Sequence, residues 1–479
     1  MAHQPMLKFI NIERDMPQKR EADARREDFD EIYAEFAKAK AEEQSSRCSQ
    51  CGVPYCQTHC PLHNNIPDWL RLTADGRLQE AYELSQATNT FPEICGRICP
   101  QDRLCEGNCV IESSGHGTVT IGAVEKYITD TAWEKGWVLP ISPKIERAES
   151  VGIIGAGPGG LAAADVLRRA GIQVTVYDRY DRAGGLLTYG IPGFKLEKDI
   201  VMRRNDQMAQ GGVKFELNTN IGEDISFAEL RAKHDAIIIA TGVYKSRDLQ
   251  SEGSGANGVL RAIDFLTASN RKSFGDAVPE FDSGALDAKG KRVVVIGGGD
   301  TAMDCVRTSI RQGATSVKCL YRRDRANMPG SQREVQNAEE EGVVFEWLSA
   351  PNGFVVSGDN VSGVMVQKMR LGAPDATGRQ APELIEGADY VEDADIVIMA
   401  LGFSPEALPT LWNEPDLPVS RWGTILTEYS TGKTDMDGVY AVGDIVRGAS
   451  LVVWAIKDGR DCAQAILAEM DAVKTVAAE

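Results

Sequence analysis

Two stretches of this chain read strand, glycine turn, helix, strand. The first starts at Val151, turns through Gly155, Gly157 and Gly160, continues as a helical stretch to Ala170, and ends in a strand from Gln173 to Asp178. The second starts at Arg292, turns through Gly297, Gly299, Asp300, Thr301 and Ala302, and ends in a strand closing on Tyr321, Arg322 and Arg323. Each is a βαβ unit. Two copies predict an α/β fold with two doubly wound dinucleotide-binding domains. In the first turn, Gly155 permits the bend, Gly157 lets backbone N–H groups approach a pyrophosphate, and Gly160 permits close packing of helix on strand. Asp178 stands where a carboxylate accepts from ribose hydroxyls. The second turn is the alanine variant, and its second strand ends without an acid. A carboxylate there would repel a 2′-phosphate, whereas Arg322 and Arg323 would bind it, which points to NADPH. The competing reading is a solvated basic turn that includes Arg325. Strands of the buried type end at Thr241-Gly242, at Ala400 to Gly402 and at Gly443-Asp444, each suited to closing such a domain.

Eight of the eleven cysteines lie between Cys48 and Cys109. They form two runs, Cys48, Cys51, Cys56 and Cys60-Pro61, then Cys95, Cys99-Pro100, Cys105 and Cys109. The pattern resembles that of two-cluster ferredoxins, in which the cysteine before proline ligates the other cluster. Crossing the ligands in that way puts Cys48, Cys51, Cys56 and Cys109 on one 4Fe–4S cluster. Cys60, Cys99 and Cys105 fall on the second, one ligand short, and counting nominates Cys95. Disulfides and zinc are the competing readings. Disulfides require a secreted, usually short chain, and residues 1–20 lack the apolar region of a signal peptide. Structural zinc favours paired C-x2-C knuckles, and only Cys48 and Cys51 have that spacing.

Length allows about three domains. We expect a helical iron–sulfur domain over 1–150, a flavin domain over 151–290, a nucleotide domain over 291–404 and a return to the flavin domain over 405–479. Phe29, Ile32, Tyr33 and Phe36 make one helical stripe, so a helix is expected within 21–47. Pro67 is placed to open a second helix, Leu78, Tyr82 and Leu84 mark a third, and Pro140 and Pro143 mark a linker. A formal charge of −18 argues against nucleic acid as a partner. No apolar stretch approaches a membrane span. The expected location is the cytoplasm.

With these motifs in place, the chain resembles the small subunit of bacterial NADPH-dependent glutamate synthases over nearly its whole length. The carriers are Arg47 to Pro54, Asn65 to Trp69, Glu93 to Gln101, Thr120 to Glu125, Tyr189 to Pro192, Gly297 to Ala302, Tyr321 to Arg323 and Ala441 to Asp444. The same module recurs in the reductase half of dihydropyrimidine dehydrogenase and in ferredoxin:NADP oxidoreductase large subunits. The resemblance implies FAD in the first unit, NADPH in the second, and insertion of the second into the first. It further implies that Gly184, Gly185 and Gly190 line the flavin, that Asp444 binds its ribityl or phosphate region, and that Trp454, within Val453 to Ile456, lies near the ring. In relatives an acid or amide downstream of the last cysteine completes the second cluster. The matching residue here is Glu125, set against Cys95, which ligand softness would favour.

The expected chemistry belongs to the cofactors: hydride from NADPH to FAD, then single electrons to the clusters. No protein nucleophile or acid–base pair is needed, and His3, His59, His63, His116 and His234 form no triad-like setting. Clusters and dinucleotides use the whole chain, so electrons must leave to another polypeptide. The resemblance makes that partner the large glutamate synthase subunit, which forms L-glutamate from L-glutamine and 2-oxoglutarate. The alternatives are a bifurcating NAD(P)H:ferredoxin oxidoreductase subunit and a non-enzymatic, cluster-dependent interaction module.

Overall fold

The chain is described from a computed structural model covering residues 5–376, 378 and 380–478. Its first sheet is parallel, in the order Val439–Ala441, Ala236–Ile239, Ser150–Ile154, Gln173–Tyr177, Lys214–Glu216. The second repeats that plan, with Val259–Arg261, Ile396–Met399, Arg292–Ile296, Ser316–Tyr321 and Val344–Trp347, again all parallel. Helices cover both faces, so the central strands are apolar throughout. Ile237, Ile238 and Ile239 in one sheet and Val293, Val294 and Val295 in the other are all buried.

The chain leaves the first sheet after Ala236–Ile239 and returns to it only at Val439–Ala441, so the second unit is an insertion. The two connecting segments pair with each other, Lys245–Ser246 antiparallel to Phe403–Ser404. The expected boundary at 290/291 falls inside the inserted unit. Val259–Arg261 already belongs to the second sheet, and helix Ala262–Ser273 packs against the same core. The inserted unit also carries a four-stranded antiparallel sheet, Ser349–Ser357, Asn360–Pro374, Gln380–Leu384 and Tyr390–Asp393, which the sequence reading missed.

Helices Ile66–Ala74, Leu78–Thr88, Pro92–Ile98 and Ile121–Glu134 form the N-terminal domain around Trp69, Leu70, Tyr82, Val124 and Ile128. Pro67 stands in the first turn of its helix, where no N–H is needed. The single helix expected within 21–47 is not formed. Ala22–Arg26 and Lys38–Ser45 are helical, and the chain between them is an open strap. Its apolar residues serve different units, which is why their helical spacing misleads. Phe36 enters the core of the helical domain, while the Phe29 ring meets Phe194 of the flavin unit at 6.3 Å. Arg25 reaches the inserted unit, pairing with Glu340 at 2.7 Å.

The units are joined by buried ion pairs. Arg204 of the flavin unit forks onto Glu93 of the helical domain at 2.7 and 2.9 Å. Lys195 reaches Asp304 of the inserted unit at 2.8 Å. Beside it, Phe194 carries the guanidinium groups of Arg307 and Arg311 at 4.4 and 4.0 Å.

Candidate functional site

The first turn has the geometry its glycines suggest. Gly155 has φ 109°, and an added Cβ would overlap the Ala240 carbonyl oxygen. Its N–H donates to the Tyr177 carbonyl at 2.8 Å, tying the turn to the second strand. Gly157 caps helix Pro158–Arg169, and no protein atom lies within 4 Å of where its Cβ would be. That open space at a helix N-terminus suits a phosphate. At Gly160 a Cβ would overlap the Gly155 carbonyl, so helix and turn are in direct contact.

Asp178 is buried at the end of the second strand. Its carboxylate accepts from the N–H groups of Ala156 at 2.7 Å and Tyr180 at 2.9 Å. Burial pushes its pKa up, and these two donors oppose the shift. Gly184 and Gly185 both have positive φ and fold across the turn. A Cβ on Gly185 would meet Gly157 Cα at 2.9 Å. Gly190 ends the short helix Leu186–Tyr189 that follows.

Gly155, Gly157, Asp178, Thr241, Gly242, Gly443 and Asp444 share the wall of one cavity of about 1990 Å³. Asp300 and Thr301 reach the same cavity from the inserted unit, as does Cys99 from the helical domain. Thr241 Oγ1 is buried there without a hydrogen-bond partner, a group that a polar ligand would satisfy. Asp444 accepts from Ser450 N–H at 3.1 Å and Oγ at 2.6 Å, and burial pushes its pKa up. Trp454 lies in the first turn of the last helix, with the Arg447 guanidinium 4.6 Å from its ring.

The second turn repeats the first. Gly297 has φ 147° and sits against the Ala400 carbonyl, and its N–H donates to Leu320 O at 3.1 Å. Gly299 caps helix Asp300–Arg311 with open space around it. Ala302 is buried behind the turn. Beyond the second strand, Arg322 is exposed and Arg323 half-buried, with Arg323 Nε lacking a partner. Arg325, which shares the basic turn, is engaged with Glu339 at 2.8 Å.

All eleven cysteines are free thiols. Among the described residues, no group of three or more His, Cys, Asp or Glu side chains is already drawn together around a single point. The N-terminal thiols bear on one another in two overlapping sets. Cys51 and Cys109 bear on Cys48, and all three bear on Cys56. Cys95 and Glu125 bear on Cys60 and Cys99, while Glu106, Cys60, Glu125 and also Cys56 bear on Cys105. Burial pushes Cys48 up to about 11 and Cys56 and Cys60 to about 12, so iron must displace protons to bind.

The two groups sit in different surroundings. Cys48, Cys56 and Cys109 belong to the core of the helical domain. Cys95 and Cys99 belong to the core of the flavin unit, with Phe91 and Ile94. Cys60 and Cys105 pack against the helical core, so the second group spans the two cores, and Cys99 is its member on the flavin cavity; we call this group inboard. The first is outboard, flanked by exposed Val53, Tyr55 and Val110. Glu125 is buried, accepts from Asn64 Nδ2 at 2.9 Å and Asn89 Nδ2 at 3.2 Å, and is pushed up to about 8 by burial against those donors. The sequence reading missed Asn64 and Asn89. It missed Gln101 as well, whose side chain grips the loop of the inboard cysteines.

Comparison with known proteins agrees with this geometry. Residues 25–137 match the family model for dihydropyrimidine dehydrogenase domain II, 4Fe–4S cluster, and residues 149–459 match that for pyridine nucleotide-disulphide oxidoreductases. The glutamate synthase (NADPH) small chain of Azospirillum brasilense is 63% identical over 484 residues, covering 100% of both chains. The chain belongs to the NADPH glutamate synthase small-chain family. The Escherichia coli K12 small chain is 46% identical, over 97% of this chain and 98% of that one. Among solved structures, Mycobacterium tuberculosis FprA in complex with NADPH superposes with a TM-score of 0.58 at 21% identity, covering 69% of this chain and 86% of that chain; this likeness concerns the fold alone. Among the described residues, no helix is long and apolar enough to cross a membrane.

Proposed function

We propose that this chain is the electron-input subunit of an NADPH-dependent glutamate synthase. It binds FAD at the first turn, NADPH at the second and two 4Fe–4S clusters in the helical domain. The observation that carries the reading is the cavity wall, where the first glycine turn, the start of the second unit's helix and the inboard Cys99 meet. When bound, these groups supply hydride acceptance from NADPH and one-electron transfer. The chain's own residues do the rest. Gly157 and Gly299 leave room for phosphates at two helix N-termini, and Asp178, Thr241 and Asp444 supply polar contacts to the flavin. Lys195 with Asp304 and Phe194 with Arg307 hold the two dinucleotide units face to face. Arg322 and Arg323 take the 2′-phosphate.

Cys48, Cys51, Cys56 and Cys109 ligate the outboard cluster. Cys60, Cys99, Cys105 and Glu125 ligate the inboard one. Glu125 is favoured over Cys95 because it matches the acid or amide that completes the second cluster in the family the chain resembles, and because its buried carboxylate is held in place by Asn64 and Asn89. Cys95→Ser should leave the spectra of both clusters intact, and Glu125→Ala should perturb one. The opposite pattern would return the site to sulfur.

The partner is the large glutamate synthase subunit, reached from the outboard cluster. The purified holoprotein should oxidise NADPH with an artificial acceptor. It should form glutamate from glutamine and 2-oxoglutarate only when the large subunit is added. Glutamate formed by the small chain alone would overturn the assignment.

A further inference from the structure

The loop after the second strand of the inserted unit touches the loop of the inboard cysteines. Gly330 N–H donates to Gly298 O at 2.9 Å and Ser331 N–H to Asp300 Oδ1 at 3.0 Å, so Pro329–Ser331 is fastened to the second glycine turn. Helix Gln332–Glu340 starts immediately after, with Ser331 as its N-cap, and carries Arg333. The Arg333 guanidinium donates to Gln101 Oε1 at 2.8 Å. Its Nε is buried and has no partner, so the side chain is held through its far end. Two lesser contacts flank it. Ser331 Oγ donates to Asp102 Oδ1 at 3.4 Å, and Arg103 donates to the Pro329 carbonyl.

Gln101 is the hub of the inboard loop. Its side-chain amide donates to the carbonyls of Cys95 at 3.1 Å and Gly96 at 3.2 Å. Its main-chain N–H donates to Cys99 O at 2.9 Å, and its carbonyl accepts from the N–H groups of Leu104, Glu106 and Gly107 around Cys105. It also packs so closely on helix Ile121–Glu134 that a Cβ on Gly122 would overlap it. That helix carries Glu125. One buried residue therefore braces the loop, its side chain at Cys95 and the helix of Glu125 and its main chain at Cys99 and around Cys105, and its side-chain oxygen is taken by an arginine of the other unit.

We propose that Arg333 is a positioning residue that couples nucleotide occupancy at the second glycine turn to the inboard cluster. A nucleotide at Gly299 and Asp300 bears on the segment fastened to that turn, and Arg333 passes the constraint to Gln101. The coupling is reciprocal, so the state of the cluster loop also changes nucleotide affinity. Arginine suits this role because its planar fork can hold a fixed acceptor without reorganising.

The inference rests on placing NADPH at the second turn, and one experiment separates the two. Amide hydrogen exchange is followed in the holoprotein with and without saturating NADP+. In the wild type, the nucleotide should slow exchange over 297–303, over 329–333 and over 99–107, the last by roughly fivefold or more, the lower end of a typical coupling. In Arg333→Met the slowing at 297–303 should remain and that at 99–107 should vanish. Slowing at 297–303 without any at 99–107 in the wild type overturns the coupling and leaves the NADPH site intact. No slowing at 297–303 in the wild type overturns the NADPH assignment itself. If Arg333→Met keeps the effect at 99–107, the contact is only structural. If it loses nucleotide binding altogether, Arg333 is a nucleotide ligand and the relay is wrong.

Discussion

The two glycine turns share a backbone and differ in two side-chain positions. In both, the first glycine is pressed against the carbonyl of Ala240 or Ala400, and its N–H closes on the neighbouring strand. In both, the second glycine opens onto empty space at a helix N-terminus. The third position is Gly160 in one and Ala302 in the other. Beyond the second strand, the first unit places buried Asp178, accepting from its own turn, and the second places Arg322 and Arg323 in or near solvent. The part that meets pyrophosphate is thus made of backbone and is common to any dinucleotide. On the reading proposed above, the choice between dinucleotides lies at the end of the second strand, where side chains would reach the ribose.

This comparison can be broken most severely at the third position. Gly160→Ala drives a methyl into the Gly155 carbonyl, and overpacking against backbone that cannot yield costs about 3 kcal/mol or more. The expected result is loss of most bound flavin, read as the flavin-to-protein ratio. Ala302→Gly should cost only about 1 kcal/mol of helix stability. Equal effects at the two positions would mean the helices approach their turns alike. Next comes Asp178→Ala, which strands the buried N–H groups of Ala156 and Tyr180. Stability should fall by about 1–3 kcal/mol, with weakened flavin binding, as read by denaturant melts of the holoprotein. An unchanged melt would show that these donors find water.

Arg322→Ala and Arg323→Ala should act on nucleotide choice alone. A hydrogen bond to a charged group contributes about 1.5–3 kcal/mol, so NADPH should weaken roughly 10–100-fold while NADH barely responds. Exposed Arg322 should give the smaller change, since solvent screens it. If neither variant alters the NADPH/NADH ratio of kcat/KM, the arginines are a solvated turn. The smallest effect on the fold is expected of Gly157→Ala and Gly299→Ala. Each methyl meets no protein atom, so the melting of cofactor-free protein should shift by less than about 0.5 kcal/mol. Affinity for FAD or NADPH should nonetheless fall, because the methyl occupies the phosphate's approach.

What the sequence disclosed follows the range of the interaction that builds each part. The turns were legible because each depends on a few neighbouring residues with fixed backbone demands. The iron–sulfur character of the N-terminal domain was legible for the same reason, through cysteine spacing and Cys-Pro. The antiparallel sheet was missed although Gly358 and Asp359, between Val355-Val356 and Val361, carry a hairpin signal. The membership of Val259–Arg261 in the second sheet was not readable, since its partner Ile396–Met399 lies far along the chain. The strap over 27–37 shows the converse error, in which residues bound for separate cores happened to fall at helical spacing. Gln101 and Arg333 carry no local signature, and only the packing of two units makes them partners.

The shared core of Cys95, Cys99 and the flavin sheet has a consequence for how the protein is made. A metal site with one ligand embedded in another cofactor's domain cannot be assembled independently of that domain. Cys99 must be engaged before, or while, that core closes, because close packing leaves it no later freedom, whereas Cys60 and Cys105 stay half-buried on the helical core. The outboard Cys48, Cys56 and Cys109 are buried as well, but in the core of their own domain, so their assembly does not depend on the flavin unit. Through Cys99, assembly of the inboard site is tied to closure of the flavin core. Cells short of iron are expected to accumulate chains poor in flavin as well as in iron, a ratio that metal and flavin analysis of the same preparation would reveal.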